Sequence, residues 1–213
     1  MLEQLKIAPI IPVFFHADGP FSLEIMKACY AGGIRCFEFT NRGPEAPEIF
    51  GLLRNYATAN CPDLLLGIGT IYTAEEAAYF LESGADFVVQ PVTTPGVGAE
   101  CRMHGKPWIP GAFSPNEIWS AWQLGATAVK VFPGAVVGPR YIQALRGPMP
   151  DIPFVVTGGV DPAVSSIRSW LDSGVQAVGL GGQLFKDIGP GEFGELRLQI
   201  SGLLNRLHLP AAT

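Results

Sequence analysis

One lysine of this chain lies where an isolated charge is uncommon. Lys130 stands between Val129 and Val131 in a short apolar segment that carries no other charge. If the segment is a strand, alternation places Ala128, Lys130 and Phe132 on one face. A face covered by helices requires apolar side chains, so we expect the amine to lie at an open mouth of the fold. Burial disfavours the charged ammonium, and a neutral amine attacks a ketone to form a Schiff base.

A carboxyl group in another predicted strand is a candidate partner for this amine. Glu38 occupies the small or polar face of its strand, whereas the opposite face carries two phenylalanines suited to packing against helices. A glutamate that points inward is costly unless it has a partner. Two roles remain open from the residues alone: a purely structural ion pair with Lys130, or a proton shuttle beside a carbinolamine. Arg42, just past this strand, is either a solvated loop residue or a clamp for a carboxylate.

Two glycine pairs supply a third element of a candidate site. Gly158-Gly159 and Gly181-Gly182 follow the last two apolar runs of the chain. Glycine permits close approach of the backbone to a ligand, and the corresponding loops of parallel barrels often bind phosphate through backbone N–H groups. A single Gly-Gly pair indicates only a turn, but two pairs at these two places favour a phosphate site.

These residues require a scaffold that brings the ends of several strands together. Eight short apolar runs recur, separated by amphipathic segments with helix start signals such as the capping-box patterns at Thr73 and Ser114. Such runs are typical of parallel strands buried on both faces, and the pattern predicts a (β/α)₈ barrel forming one domain over residues 1–213. An open doubly wound sheet is the alternative, although no G-x-G-x-x-G motif follows the first run. The predicted strands are Pro9–Phe15, Ile34–Thr40, Leu64–Thr70, Phe87–Pro91, Trp108–Phe113, Ala126–Phe132, Pro153–Thr157 and Gln176–Gly181.

Composition limits the classes of function. The chain has 213 residues, of which 48% are hydrophobic and 15% charged, and its net charge is −5. This hydrophobic content excludes intrinsic disorder as the main state. Because no run of Lys or Arg occurs, we expect no nucleic-acid partner. No apolar stretch reaches the roughly 18 residues of a membrane span, so no membrane partner is expected, and residues 209–213 are expected to form a frayed end.

Cysteine and histidine usage favours neither a disulfide scaffold nor a metal centre. The four cysteines form no C-x-x-C pair and are few for the length of the chain, so we expect reduced thiols in the core of a cytoplasmic protein. The three histidines lack the spacing of metal ligands. The sequence therefore predicts no metal site.

Four motifs together carry a family resemblance. GIRCFEFTNR at 33–42, GIGT at 67–70, VKVFP at 129–133 and TGG at 157–159 resemble the 2-keto-3-deoxy-6-phosphogluconate (KDPG) and 4-hydroxy-2-oxoglutarate (KHG) aldolases. The resemblance extends from Pro9 to about Phe185 with the motifs in the same order. It implies a class I aldolase in a (β/α)₈ barrel, a homotrimer, with no cofactor and no metal.

The resemblance also implies a role for each matching residue. Lys130 matches the Schiff-base lysine, and Glu38 matches the general acid and base. The family commonly has leucine where this chain has Asn41, and a phosphate-binding serine where it has Gln183, whose amide can still donate. The other matches are Arg42 and Thr70 for the pyruvyl carboxylate, Pro91 and Phe132 as pocket walls, and Thr157, Gly158, Gly159, Gly181 and Gly182 in the loops that bind the aldol and the phosphate.

The activity implied by the resemblance is cleavage of a 2-keto-3-deoxy-6-phospho sugar acid to pyruvate and glyceraldehyde 3-phosphate, as in the Entner–Doudoroff pathway. KHG aldolase and 2-dehydro-3-deoxy-6-phosphogalactonate aldolase are the alternatives within the family. Two rivals come from other classes. One is a metal-dependent phosphosugar epimerase or class II aldolase, which needs clustered His, Asp or Glu ligands; the other is a non-catalytic phosphate-binding barrel with a structural lysine.

Overall fold

Nine strands form one continuous sheet in the part of the chain that the structure, a computed structural model, describes, residues 1–208. The strands are β1 Ile10–Phe14, β2 Cys36–Thr40, β3 Leu65–Gly69, β4 Val88–Val89, β5 Trp108–Ile109, β6 Gly111–Ala112, β7 Val129–Val131, β8 Phe154–Thr157 and β9 Ala177–Leu180. Their order is β5-β4-β3-β2-β1-β9-β8-β7-β6, and all neighbours are parallel. Each lies within one predicted apolar run. The predicted frayed end, residues 209–213, lies outside the described residues.

The fifth predicted strand is divided, and this division closes the barrel. β5 pairs with β4 on one side, and β6 pairs with β7 on the other. Pro110, between them, has no N–H to donate to a ladder, but its carbonyl accepts a hydrogen bond from Lys130 N at 2.8 Å. Gly111 lies so close to the Pro91 carbonyl that a Cβ would overlap it. One segment therefore joins both ends of the sheet, and the predicted (β/α)₈ barrel is confirmed.

Helices connect and cover the strands. Both predicted capping boxes are present, because the hydroxyls of Thr73 and Ser114 accept the N–H groups of Glu76 and Glu117 at 3.2 and 3.3 Å. The helices are α1 Leu2–Ile7, α2 Gly19–Ala31, α3 Ala46–Asn60, α4 Ala74–Glu82, α5 Pro95–Met103, α6 Pro115–Gln123, α7 Gly134–Val137, α8 Pro139–Arg146, α9 Val164–Asp172 and α10 Phe193–His208, with a 3₁₀ turn, η1, at Gly182–Phe185.

Apolar side chains fill the interior of the barrel below its carboxyl end. Cys36 and Ala128 belong to this interior cluster, which Leu5 of α1 also joins at the amino end of the strands. Since strand side chains alternate, Glu38 and Lys130 lie on the same inner faces, one layer nearer the carboxyl end. The apolar cluster therefore forms the floor beneath these two charged groups.

Two further expectations from the sequence concern the cysteines and the helices. All four cysteines are free and buried, as predicted for thiols that fill core space. Among residues 1–208, no helix has both the length and the apolar character needed to cross a membrane.

Candidate active site

A cavity of about 370 Å³ opens at the carboxyl ends of the strands, where this fold carries its chemistry. It brings together every predicted site residue except Gln183. Its floor and walls come from strands and loops on all sides of the barrel. The lining residues are Val13, Glu38, Arg42, Thr70, Tyr72, Pro91, Lys130, Phe132, Thr157, Gly158, Gly159, Gly181 and Gly182.

Lys130 presents a desolvated amine to this cavity. The residue is 6% exposed, and its Nζ lies 5.2 Å from the centroid of the Phe132 ring. No carboxylate oxygen of residues 1–208 lies within 4.0 Å of Nζ, and the amine makes no hydrogen bond with these residues. The structural ion pair with Glu38, which the sequence left open, is therefore not formed at contact distance.

Glu38 is held in the cavity as a buried carboxyl group. It is 2% exposed, and this burial raises its pKa, although the positive charges of Lys130 and Arg42 act in the opposite direction. The side chain occupies the space next to Gly69 of β3, where an added Cβ would lie 2.7 Å from Cδ and 2.9 Å from Cγ. Glycine at this position therefore provides the slot for the carboxyl group. A raised pKa suits a group that exchanges protons near neutral pH.

Arg42 and Thr70 lie beside this carboxyl group. The Arg42 guanidinium is exposed and makes no hydrogen bond or salt bridge with any of residues 1–208, so its planar fork is available to an anion. Thr70 has φ of 62°, the one non-glycine residue of the described chain in the left-handed region. For a β-branched residue this conformation costs about 1–3 kcal/mol and persists only where its surroundings impose it.

The opposite wall combines Phe132 with the glycine loops. Gly158 has φ of 93°, and a Cβ there would lie 2.9 Å from Cε2 of the Phe132 ring. Gly179 of β9 similarly leaves room for Thr157, whose Cγ2 would lie 2.9 Å from an added Cβ. The contact at Gly158 explains the glycine that follows β8, whereas an added Cβ at Gly181 or Gly182, after β9, would meet nothing within 4 Å. The glycines of both loops line the cavity with backbone atoms.

Sequence reasoning missed two lining residues, Val13 and Tyr72. Val13 follows the buried interior residue Ile11 by two positions in β1, so alternation alone would have placed it. Tyr72 is half-exposed on the loop after β3, and no pattern in the sequence indicates its direction.

The two departures from the family pattern lie away from the cavity. Gln183 is exposed in η1 and does not line the cavity. Asn41 also does not line the cavity, and its amide donates to Glu76 Oε1 of α4 at 3.4 Å. Across residues 1–208, no group of three or more His, Cys, Asp or Glu side chains is arranged to hold a metal ion.

Comparison with known proteins places this chain in a family. The sequence profile described as KDPG and KHG aldolase matches residues 1–190. The chain belongs to the KDPG and KHG aldolase family. A curated relative from Treponema pallidum, 2-dehydro-3-deoxy-phosphogluconate aldolase, is 38% identical over 160 residues, which are 75% of this chain and 73% of that protein.

Solved structures of KDPG and KHG aldolases share the fold. A 4-hydroxy-2-oxoglutarate/2-dehydro-3-deoxyphosphogluconate aldolase superposes with a TM-score of 0.83 at 28% identity, covering 97% of this chain and 98% of the other. KDPG aldolase from Legionella pneumophila, with pyruvate captured as a covalent carbinolamine, gives 0.82 at 26% identity, covering 95% and 97%. Family membership supports an aldolase, and hence a lyase, function for this chain.

Proposed function

We propose that the chain is a class I aldolase that cleaves a 2-keto-3-deoxy-6-phospho sugar acid to pyruvate and glyceraldehyde 3-phosphate. The observation that carries the proposal is the Lys130 amine, buried without an ion pair in one cavity with Glu38 and Arg42. The covalent pyruvate carbinolamine of the Legionella pneumophila relative supports the same chemistry. A homotrimer, as the resemblance implies, and a cytoplasmic location, as the cysteine usage favours, are part of this proposal.

The first half of the reaction attaches the substrate to the enzyme. The unprotonated form of the Lys130 amine attacks the C2 ketone through Nζ to give a carbinolamine, and loss of water leaves an iminium ion. Arg42 and the Thr70 hydroxyl hold the C1 carboxylate. Fixing the carboxylate fixes the adjacent keto carbon relative to the amine, and such orientation lowers the barrier to attack.

The second half breaks the carbon–carbon bond. Glu38, directly or through water, takes the proton of the C4 hydroxyl as the C3–C4 bond breaks, and the bonding electrons move into the iminium to form an enamine. Glyceraldehyde 3-phosphate leaves as the aldehyde product. The enamine carbon then takes a proton back from Glu38, and hydrolysis of the resulting iminium releases pyruvate and the free Lys130 amine.

The glycine loops are assigned to the far end of the substrate. Gly158, Gly159, Gly181 and Gly182 line the cavity without side chains. Backbone N–H groups of such loops bind phosphate in this class of barrel. Gln183 lies outside the lining, so we assign the phosphate to backbone donors rather than to this amide.

A pyruvate-release assay across four acids tests this substrate assignment. The acids are KDPG, its galactonate epimer, unphosphorylated 2-keto-3-deoxygluconate and KHG. We expect a 6-phosphorylated acid to give the highest kcat/KM, about tenfold or more above its unphosphorylated counterpart, because lost phosphate contacts weaken binding. A preference for KHG would contradict the phosphorylated substrate, and loss of turnover after EDTA treatment would favour a metal-dependent enzyme instead.

Arg42→Ala should weaken pyruvate binding about 10- to 100-fold, since a hydrogen bond to a charged group contributes about 1.5–3 kcal/mol. The measurement is the pyruvate dependence of Schiff-base formation. Arg197→Ala is the matched control, because Arg197 is exposed on α10 and lines none of the site. An unchanged pyruvate affinity in Arg42→Ala would remove this residue from the site.

A further inference from the structure

The strained conformation of Thr70 is enforced by the segment that follows it. Hydrogen bonds from two elements fix the residues that follow Thr70. On the α4 side, Glu76 Oε2 accepts the N–H groups of Tyr72 and Thr73 at 2.8 and 3.1 Å. The Thr94 hydroxyl donates to the Tyr72 carbonyl at 3.2 Å. The segment therefore has little freedom to relax the backbone of Thr70.

A buried amide, Gln90, is the centre of this arrangement. The residue is 0% exposed at the end of β4. Its Nε2 donates to the Ile71 carbonyl at 3.0 Å and to the Thr94 hydroxyl. Its Oε1 accepts from Trp108 Nε1 at 2.8 Å. One side chain thus connects the loop that carries Thr70 to the start of α5 and to β5.

Only a glutamine fits these three partners. Indole Nε1–H is a donor without acceptor capacity, so it fixes Oε1 as the acceptor and leaves the two Nε2 hydrogens for the Ile71 carbonyl and the Thr94 hydroxyl. A glutamate has no N–H to donate, an asparagine is shorter, and an apolar residue would leave buried donors and acceptors unpaired. Gln90 is not among the residues that line the catalytic cavity.

We infer that Gln90 is a positioning residue for the substrate carboxylate, acting by holding Thr70 in its left-handed conformation through the Ile71 carbonyl. The inference rests on the proposed function, in which Thr70 binds the carboxylate of pyruvate. Loss of the amide releases the loop after β3, so that Thr70 returns to an ordinary backbone conformation and its hydroxyl leaves the carboxylate. Lys130 and Glu38 lie on other strands and keep their positions.

The test is a double-mutant cycle of Gln90→Met and Thr70→Val, read by pyruvate-dependent borohydride labelling of Lys130. Gln90→Met should weaken pyruvate affinity about tenfold, the scale of one lost hydrogen bond to a charged group. The labelling rate at saturating pyruvate should change by less than about twofold. In the Thr70→Val background, Gln90→Met should cause little further loss, because residues that act through one contact are not additive.

Two further variants separate positioning from general stability. Ser173→Ala removes a buried hydroxyl that donates to the Trp170 carbonyl at 2.6 Å, after α9 at the amino end of the barrel. It should lower the melting temperature without changing pyruvate affinity. If Gln90→Met does not fold, Thr94→Val decides, since it removes the hydrogen bonds to Tyr72 and Gln90 and should weaken affinity in the same direction.

The outcomes distinguish this inference from the proposed function. No labelling of Lys130 in the unmodified protein would overturn the proposed function and the inference together. The inference alone would be overturned if the unmodified protein is labelled normally and Gln90→Met has unchanged pyruvate affinity. If Gln90→Met does not fold, unchanged affinity in Thr94→Val would have the same consequence. An equal loss of affinity from Gln90→Met in the presence and absence of the Thr70 hydroxyl would also overturn it.

Discussion

Replacing Lys130 with arginine or methionine should lower kcat for pyruvate release by about 10⁴-fold or more, the scale on which loss of a covalent nucleophile acts. Arginine keeps the positive charge but its guanidinium does not form an imine with a ketone, so charge alone should not rescue activity. Methionine keeps much of the volume. It should not destabilise the fold, because the amine it removes is buried without an ion pair among the described residues.

The matched control for this substitution is Lys106→Met. Lys106 Nζ forms its ion pair with Asp86 at 3.6 Å and lines no part of the catalytic cavity, so its loss should leave kcat within about twofold. Both proteins are measured by steady-state pyruvate release with the same acid. Retention of more than about a tenth of the activity in Lys130→Arg would contradict covalent catalysis by this residue.

Replacing Glu38 with glutamine should lower kcat about 10²- to 10⁴-fold, the usual contribution of a general acid or base. Glutamine has nearly the same shape and fits the slot beside Gly69, but it does not accept the C4 hydroxyl proton. In the unmodified protein, burial raises the pKa of Glu38. Activity should therefore fall, as pH is lowered, at a pH above the ordinary value of 4.5 for this group, and this acidic limb should disappear in Glu38→Gln.

The same substitution should stabilise the fold at neutral pH. The pKa of Glu38 is higher in the folded than in the unfolded chain. Ionisation therefore favours the unfolded chain, and the folded chain loses stability as pH rises from the unfolded-state pKa through the folded-state pKa. Below that interval the carboxyl is neutral in both states and no penalty exists. Glu38→Gln should thus gain free energy of unfolding at pH 8 and gain little at pH 4.

Denaturant unfolding at the two pH values measures this difference. Glu82→Gln, an exposed change at the end of α4, is the control and should show no comparable pH dependence. A Glu38→Gln protein that is less stable than the unmodified chain at pH 8 would show that the ionised carboxyl is favourably paired in the fold rather than penalised by burial.

Much of the site was predictable because it rests on strand alternation. The isolated charges of Lys130 and Glu38 fall two residues after small interior residues, so their faces follow from the period of two. The capping boxes at Thr73 and Ser114 were equally predictable, since each depends on residues only three positions apart. In patterns of this kind, the spacing of residues along the chain determines their geometry.

Features that depend on contacts between distant segments were not predictable. The division of the fifth strand at Pro110 arises because one segment must pair with β4 and β7 at once. The left-handed backbone of Thr70 is imposed by the amide of Gln90, 20 residues away in sequence. Whether Lys130 and Glu38 form an ion pair depends on side-chain distances across the barrel, which the spacing along the chain does not contain.

Reductive trapping with pyruvate tests the central claim most directly. Incubation of the protein with pyruvate and sodium borohydride, followed by proteolysis and mass spectrometry, should show one pyruvyl-derived adduct per chain, on Lys130. The other four lysines should remain unmodified. An active enzyme that carries the adduct on another lysine, or on none, would contradict the assignment of the barrel-mouth amine as the nucleophile.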